Sequence, residues 1–272
     1  MRVVLAPDSF KESMSAATAV DAMRRGVLSV MPDAQCLGVP LADGGEGTVD
    51  ALVAALGGAV VTTTVTGPLG TAVEARYGWV EAERFAVVEV AAAVGIDLVP
   101  LGERDIWRAG SRGVGELLLH ALDQGARRVV VGLGGTVTND GGAGMLQALG
   151  ARLLDGVGAD VPPGPAGLEA LHSVDASGLD PRLAPLDVLL ACDVTNPLLG
   201  PSGASAVFGP QKGAAPQDVA RLDAALAVLA AHLGRLAGHD VASIPGAGAA
   251  GGIGAALLAC THARLRPGIE VV

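Results

Sequence analysis

The chain has 272 residues, half of them hydrophobic, which is enough for one large α/β domain or two modest ones with a real core. Its formal net charge of −10 argues against nucleic acid or an anionic membrane as partner. An anionic small substrate stays open, because a few cations and helix N-termini reverse the field locally.

The first strand-like run, 2–7, leaves no room for a secretory leader before it. A helix follows, with Val20, Met23, Val27, Val30 and Met31 at helical spacing and Pro32-Asp33 as its stop. Residues 35–41 read as a second strand and 48–56 as a second helix, closed by Gly57-Gly58. This β-α-β-α order predicts a parallel sheet with crossover helices. Strand patterns at 60–66, 75–80 and 85–90 follow, divided by turn signals such as Gly67-Pro68. A boundary near residue 62 divides an N-terminal α/β domain, 1–62, from a second one, 63–272. Next come a helix at 113–122, a strand at 128–131, a helix at 144–149, a Pro/Gly-rich loop at 156–167 and a buried strand at 186–191. Residues 196–217 lack periodicity and read as a long functional loop. The clearest helix is 218–236, where Val219, Leu222, Leu226, Leu229, Leu233 and Leu236 form one stripe and Gly238 stands just beyond its end. The uncharged stretch 241–261 holds Pro245 and five glycines, so it reads as a loop plus a buried helix rather than a membrane span. Cys36, Cys192 and Cys260 form no CxxC pair and suit a reducing, cytoplasmic setting without a zinc site.

Four strands run into the same kind of text. They lead to Pro7-Asp8-Ser9-Phe10-Lys11, to Ala42-Asp43-Gly44-Gly45-Glu46-Gly47, to a glycine-rich run ending Asn139-Asp140-Gly141-Gly142, and to Cys192-Asp193-Val194-Thr195-Asn196. In open α/β sheets ligands bind beyond the carboxyl ends of strands. Asp and Asn beside glycines there can hold a metal or a substrate hydroxyl, and glycine lets backbone N–H groups reach phosphate. Asp and Gly are also ordinary turn residues, but four such loops in one chain favour function. The 18 basic residues include only two lysines, Lys11 and Lys212, and both lie in these suspect loops. A lysine kept where arginine is the rule suggests a compact ammonium touching phosphate oxygens. The run Gly246-Ala-Gly248-Ala-Ala-Gly251 contains GxGxxG. It reads as an anion loop at a helix N-terminus, with an NAD-dependent oxidoreductase as the alternative and Glu270 as its ribose acid. Walker A and GxSxG motifs are missing, and the five histidines form no ligand cluster.

Taken together, the segments 6–13, 42–48, 138–144, 193–197, 208–214 (Phe-Gly-Pro-Gln-Lys-Gly-Ala) and 246–252 resemble the bacterial glycerate kinase family, in order and across the whole chain. The resemblance implies ATP-dependent phosphorylation of D-glycerate, most often to 2-phosphoglycerate. It also implies two α/β domains with the active site in the cleft between them. Phosphoryl transfer needs a base for the hydroxyl, carboxylates for Mg²⁺ and donors for phosphate. On that basis Asp193 or Asp43 takes the hydroxyl, and Asp8 and Asp140 hold metal or organise the site. Lys11 and Lys212 meet phosphate or the glycerate carboxylate, with Asn139 and Asn196 in support. Ser9, Gly44, Gly45, Glu46, Gly141, Gly142, Gly248 and Gly251 line the ligand. The resemblance further implies a chain that continues past Val272, so impaired activity, down to an inactive fragment that only binds ligand or partner, is an expectation for 1–272. A homo-oligomer is left open.

Overall fold

The computed structural model describes residues 1–7, 10, 13–41 and 47–271. The expectations for Asp8, Ser9, Lys11, Asp43, Gly44, Gly45 and Glu46 lie outside the described residues.

The chain opens with strand β1 (Arg2–Leu5), helix α1 (Ala16–Val30) and strand β2 (Gln35–Gly38), and β1 and β2 pair in parallel as a sheet of their own. Ser15 caps α1, its side chain accepting from the Thr18 N–H. The buried face of α1 is Ala16, Ala19 and Val20, while Met23 and Val30 of the expected stripe are exposed. Helix α2 (Thr48–Leu56) ends at Gly57 in the left-handed conformation, as the glycine pair predicts.

A six-stranded sheet follows. Its strands are β3 (Ala59–Thr66), β4 (Ala72–Val80), β5 (Phe85–Glu89), β6 (Arg128–Gly132), β9 (Asp187–Ala191) and β10 (Arg264–Arg266), in the order β10-β9-β6-β5-β4-β3. The pairs β5-β6, β6-β9 and β9-β10 are parallel, whereas β3-β4 and β4-β5 are antiparallel. The architecture is therefore α/β with parallel and mixed sheets. Residue 62 lies inside β3.

The central strands are buried on both faces, which is why they read as unbroken apolar runs. Ala86, Val88, Val129, Val131, Val188 and Leu190 face the larger core. Phe85, Val87, Val130 and Ala191 face the other side, where Val49 and Leu52 of α2 pack on them. The larger core also takes residues from α3 (Ala91–Val94), α4 (Arg112–Asp123), α5 (Ala143–Ala148), α8 (Val219–Ala237) and α9 (Ile253–Cys260). In α8, Leu222, Leu226, Leu229 and Leu233 are buried as expected, and Gly238 closes the helix in the left-handed conformation.

Three strands escape the sequence reading, as does the four-residue α3: β10 and the antiparallel pair β7 (Arg152–Leu154) and β8 (Ser173–Asp175), whose three-residue lengths carry no detectable period. Helix α6 (Pro165–Leu168) closes the loop between that pair. The expectation of a long structureless loop at 196–217 is corrected: it contains α7 (Ala204–Phe208) and 3₁₀ turns at Pro210–Lys212 and Pro216–Asp218. One or two turns are too short to show a 3.6-residue repeat, and their stability comes from packing, as where Ala204 joins the core.

Candidate active site

The parallel strands β5, β6 and β9 deliver three segments to one rim of the sheet, at Glu89, Gly132–Asp140 and Cys192–Asn196. This is the edge at which open α/β sheets bind ligands. Asp140 sits at its centre and is wholly buried. One carboxylate oxygen accepts from the Ser111 N–H (2.9 Å), the Ser111 hydroxyl (2.8 Å) and the Gly144 N–H (3.1 Å), and the other from the Gly142 N–H (3.1 Å). Burial raises its pKa above the usual carboxylate range, and these four donors oppose the shift. The Ser111 hydroxyl in turn accepts from the Met145 N–H (3.0 Å). Asp140 thus ties the glycine run to the start of α5 and to the residue before α4.

Lys212 ends its 3₁₀ turn with its side chain inside the protein, 2% exposed. Its ammonium donates to the Thr138 carbonyl (2.7 Å) and to Thr136 Oγ1 (3.2 Å). Burial pulls its pKa down to about 7, against the opposing charge of Asp140. Asn139, also fully buried, donates through Nδ2 to Ser205 Oγ of α7 (3.0 Å). Thr138 Oγ1 and Asn139 Oδ1 are buried without a hydrogen-bond partner among the described residues.

Asp193 is exposed, and one of its oxygens accepts from the Gly268 N–H (2.9 Å). Asn196 donates to the Ser202 carbonyl (2.8 Å), and its own carbonyl accepts from Gly246 N–H (3.2 Å) and Gly248 N–H (3.0 Å). The neighbouring Cys192 thiol donates to the Val194 carbonyl and is pushed up in pKa by burial, which disfavours a thiolate nucleophile.

The 246–252 run locks these loops together. Gly141 N–H donates to the Gly251 carbonyl (2.9 Å). A Cβ on Gly251, at φ +67°, would stand 2.0 Å from the Thr138 carbonyl oxygen, and one on Gly248 would stand 2.2 Å from that of Pro197. These glycines permit close packing of backbone on backbone. The dinucleotide alternative is corrected on the same ground. The residues before Gly246 form turns after α8 rather than a strand, so no strand feeds the loop as the dinucleotide fingerprint requires, and the glycines serve backbone packing.

Sequence reasoning missed Glu89. It is the last residue of β5, 6% exposed, and its Oε1 accepts from the Val49 N–H of α2 (2.9 Å). Its signal was a single carboxylate inside the apolar run 85–94. Among the described residues no group of three or more His, Cys, Asp or Glu side chains is placed to hold a metal ion.

The comparisons with known proteins agree with this architecture. The glycerate kinase family model matches residues 3–272. The chain is 50% identical to the glycerate 2-kinase of Escherichia coli K12 over 272 residues, all of this chain and 71% of that protein. It is 50% identical to the glycerate kinase of Bacillus subtilis 168 over the same shares of each. A crystal structure from Salmonella typhimurium LT2, provisionally named glycerate kinase 2, superposes with a TM-score of 0.92 at 54% identity, covering all of this chain and 73% of the other. With matched motifs, matched fold and half of this chain's residues identical to those relatives, the chain belongs to the glycerate kinase family.

Proposed function

We propose that the protein transfers the terminal phosphoryl group of ATP to the C2 hydroxyl of D-glycerate, giving 2-phosphoglycerate and ADP. The observation that carries this reading is the match, at 50% identity over all of this chain and 71% of the other, to a protein named glycerate 2-kinase. Phosphoryl transfer asks a protein chiefly for positioning and charge neutralisation, and a rim held by buried hydrogen bonds supports the first of these.

Among the described carboxylates of the rim, Asp193 is the one facing solvent, and it is assigned to orient the glycerate hydroxyl and take its proton. Asp43, outside the described residues, is the second candidate for that role. Asp140, surrounded by four protein donors, is assigned to organising the glycine run rather than to a metal. Lys212 is assigned to the same work from inside, holding the Thr136 hydroxyl and the Thr138 carbonyl together. Asn139 and Asn196 tie the loops to α7 and to the 246–248 turn. Mg²⁺ accompanies ATP in this reading, held chiefly by the phosphates and one or two carboxylates; among the described residues no larger cluster of His, Cys, Asp or Glu is placed to hold it. Asp8 falls outside the described residues. The three free cysteines support a cytoplasmic setting, with glycerate as the small-molecule partner.

The test is ADP release by the purified protein with ATP and D-glycerate. Release that depends on D-glycerate and is absent with NAD and glycerate alone is expected. No glycerate-dependent ADP would refute the reading.

A further inference from the structure

Strand β10 closes one side of the six-stranded sheet and runs parallel to β9, with Arg266 beside Ala191. Parallel strands in register leave a sheet together, so Pro267-Gly268 departs beside Cys192-Asp193. The ladder goes one step past the strands: the Cys192 N–H donates to the Arg266 carbonyl (2.9 Å). In a continuing parallel ladder the next donor, the Gly268 N–H, would meet the Cys192 carbonyl. It meets a side chain instead, donating to Asp193 Oδ1 (2.9 Å). Among the described residues no protein donor reaches Asp193 Oδ2.

Gly268 is buried, so its N–H needs a protein acceptor. It opens the 3₁₀ turn Gly268–Glu270, whose own bonds run from the Glu270 N–H to the Pro267 carbonyl (3.0 Å) and from the Val271 N–H to the Gly268 carbonyl (2.9 Å). Neither uses the Gly268 N–H, which is left for Asp193. A main-chain donor carries no rotamer freedom and does not titrate. It therefore fixes a carboxylate more firmly than an exposed lysine or arginine would. Asp193 is itself exposed, so one oxygen is held by the sheet edge while the other faces solvent.

We propose that the Gly268 N–H is a positioning group for phosphoryl transfer: it pins Asp193 Oδ1, and so leaves Oδ2 as the oxygen that meets the glycerate hydroxyl and takes its proton. The inference rests on the assignment of Asp193 above. It gives β10 a part in the site although 264–268 brings no side chain to it: the short edge strand delivers a backbone donor.

The backbone permits a substitution that removes the donor alone. Pro267, at φ −54° and ψ 139°, already has the extended geometry that a following proline imposes. The first position of a 3₁₀ turn takes the φ that proline fixes. Gly268→Pro thus deletes the N–H, whereas Gly268→Ala keeps it. Steady-state kinetics with ATP and D-glycerate are measured on wild type, both variants, Asp193→Asn and the double variant Gly268→Pro/Asp193→Asn. In Gly268→Pro, kcat is expected to fall by about tenfold or more while the KM for ATP stays within about twofold. Gly268→Ala is expected to recover most of that loss. In the Asp193→Asn background Gly268→Pro is expected to change kcat by less than about twofold, because the group it positions no longer acts. Wild-type kcat in Gly268→Pro, an equal loss in Gly268→Ala, or full additivity with Asp193→Asn would overturn the positioning role. Amide hydrogen exchange at Gly268, followed by NMR, tests the bond without altering residue 268. Asp193→Asn keeps an acceptor oxygen and should keep the protection, while Asp193→Ala should lose about tenfold of it. Equal exchange in wild type and Asp193→Ala would overturn the proposal as well. Full turnover in Asp193→Asn, or no turnover in wild type, would instead defeat the reading beneath it, and both are measured with Gly268 in place.

Discussion

Asp140 and Lys212 are neighbours in charge but differ in what they hold. Asp140 gathers four donors from three residues, so Asp140→Ala leaves buried N–H groups from Ser111, Gly142 and Gly144 without an acceptor. A loss of at least about 3 kcal/mol in urea unfolding is expected. Asp140→Asn should recover little, because its amide turns a donor toward donors. Lys212 is a buried amine whose pKa falls from its ordinary 10.5 to about 7. Between those values the unfolded chain holds a proton that the folded one has released. Stability therefore rises with pH through this window. Relative to Lys212→Met, which fills the space without titrating, the wild type should gain stability from about pH 7 to about pH 10. A gap that shrinks or stays flat across that range would contradict the burial argument. At the rim, Asp193→Asn should lower kcat by about 10²- to 10⁴-fold if its carboxylate takes the hydroxyl proton. Retained turnover would reassign that role.

The elements explain why the loops hold their shape. A Cβ on Gly141 would stand 2.6 Å from the Leu229 side chain, so the leucine stripe of α8 packs directly under the glycine run. Leu229→Ala is expected to cost about 2–5 kcal/mol in thermal or urea unfolding. It should also raise hydrogen exchange across 138–144 more than across β1. The stripe itself was plain in the sequence, as were α2, α4 and the central strands, because each spans enough residues to show its period. Three-residue strands β7, β8 and β10 and the five-residue α7 were not, since tertiary packing rather than local pattern maintains them. The site divides the same way. Asp140, Asn139, Lys212 and the 246–251 glycines were flagged by residue type beside glycine. What they touch was hidden, because it depends on segments far apart in sequence: Ser111, Ser205, Thr136 and Pro197. Glu89 was hidden for a related reason. A single acid in an apolar strand becomes informative only when the Val49 N–H, forty residues earlier, is seen to donate to it.

At the scale of the whole molecule, parallel strands β5, β6 and β9 carry their loops to one rim, and the 246–252 turn fastens those loops to one another. No helix among the described residues is long and apolar enough to cross a membrane. The chain spans 71% of the length of the curated relatives named above. The reaction proposed for this member of the glycerate kinase family moves phosphate onto the secondary hydroxyl of glycerate. The most direct test is ¹H-coupled ³¹P NMR of the product formed from D-glycerate and ATP. Phosphate on C2 couples to a lone methine proton and gives a doublet, and a doublet is the expected result. A triplet, from coupling to the methylene at C3, or no new phosphomonoester signal, would contradict the account.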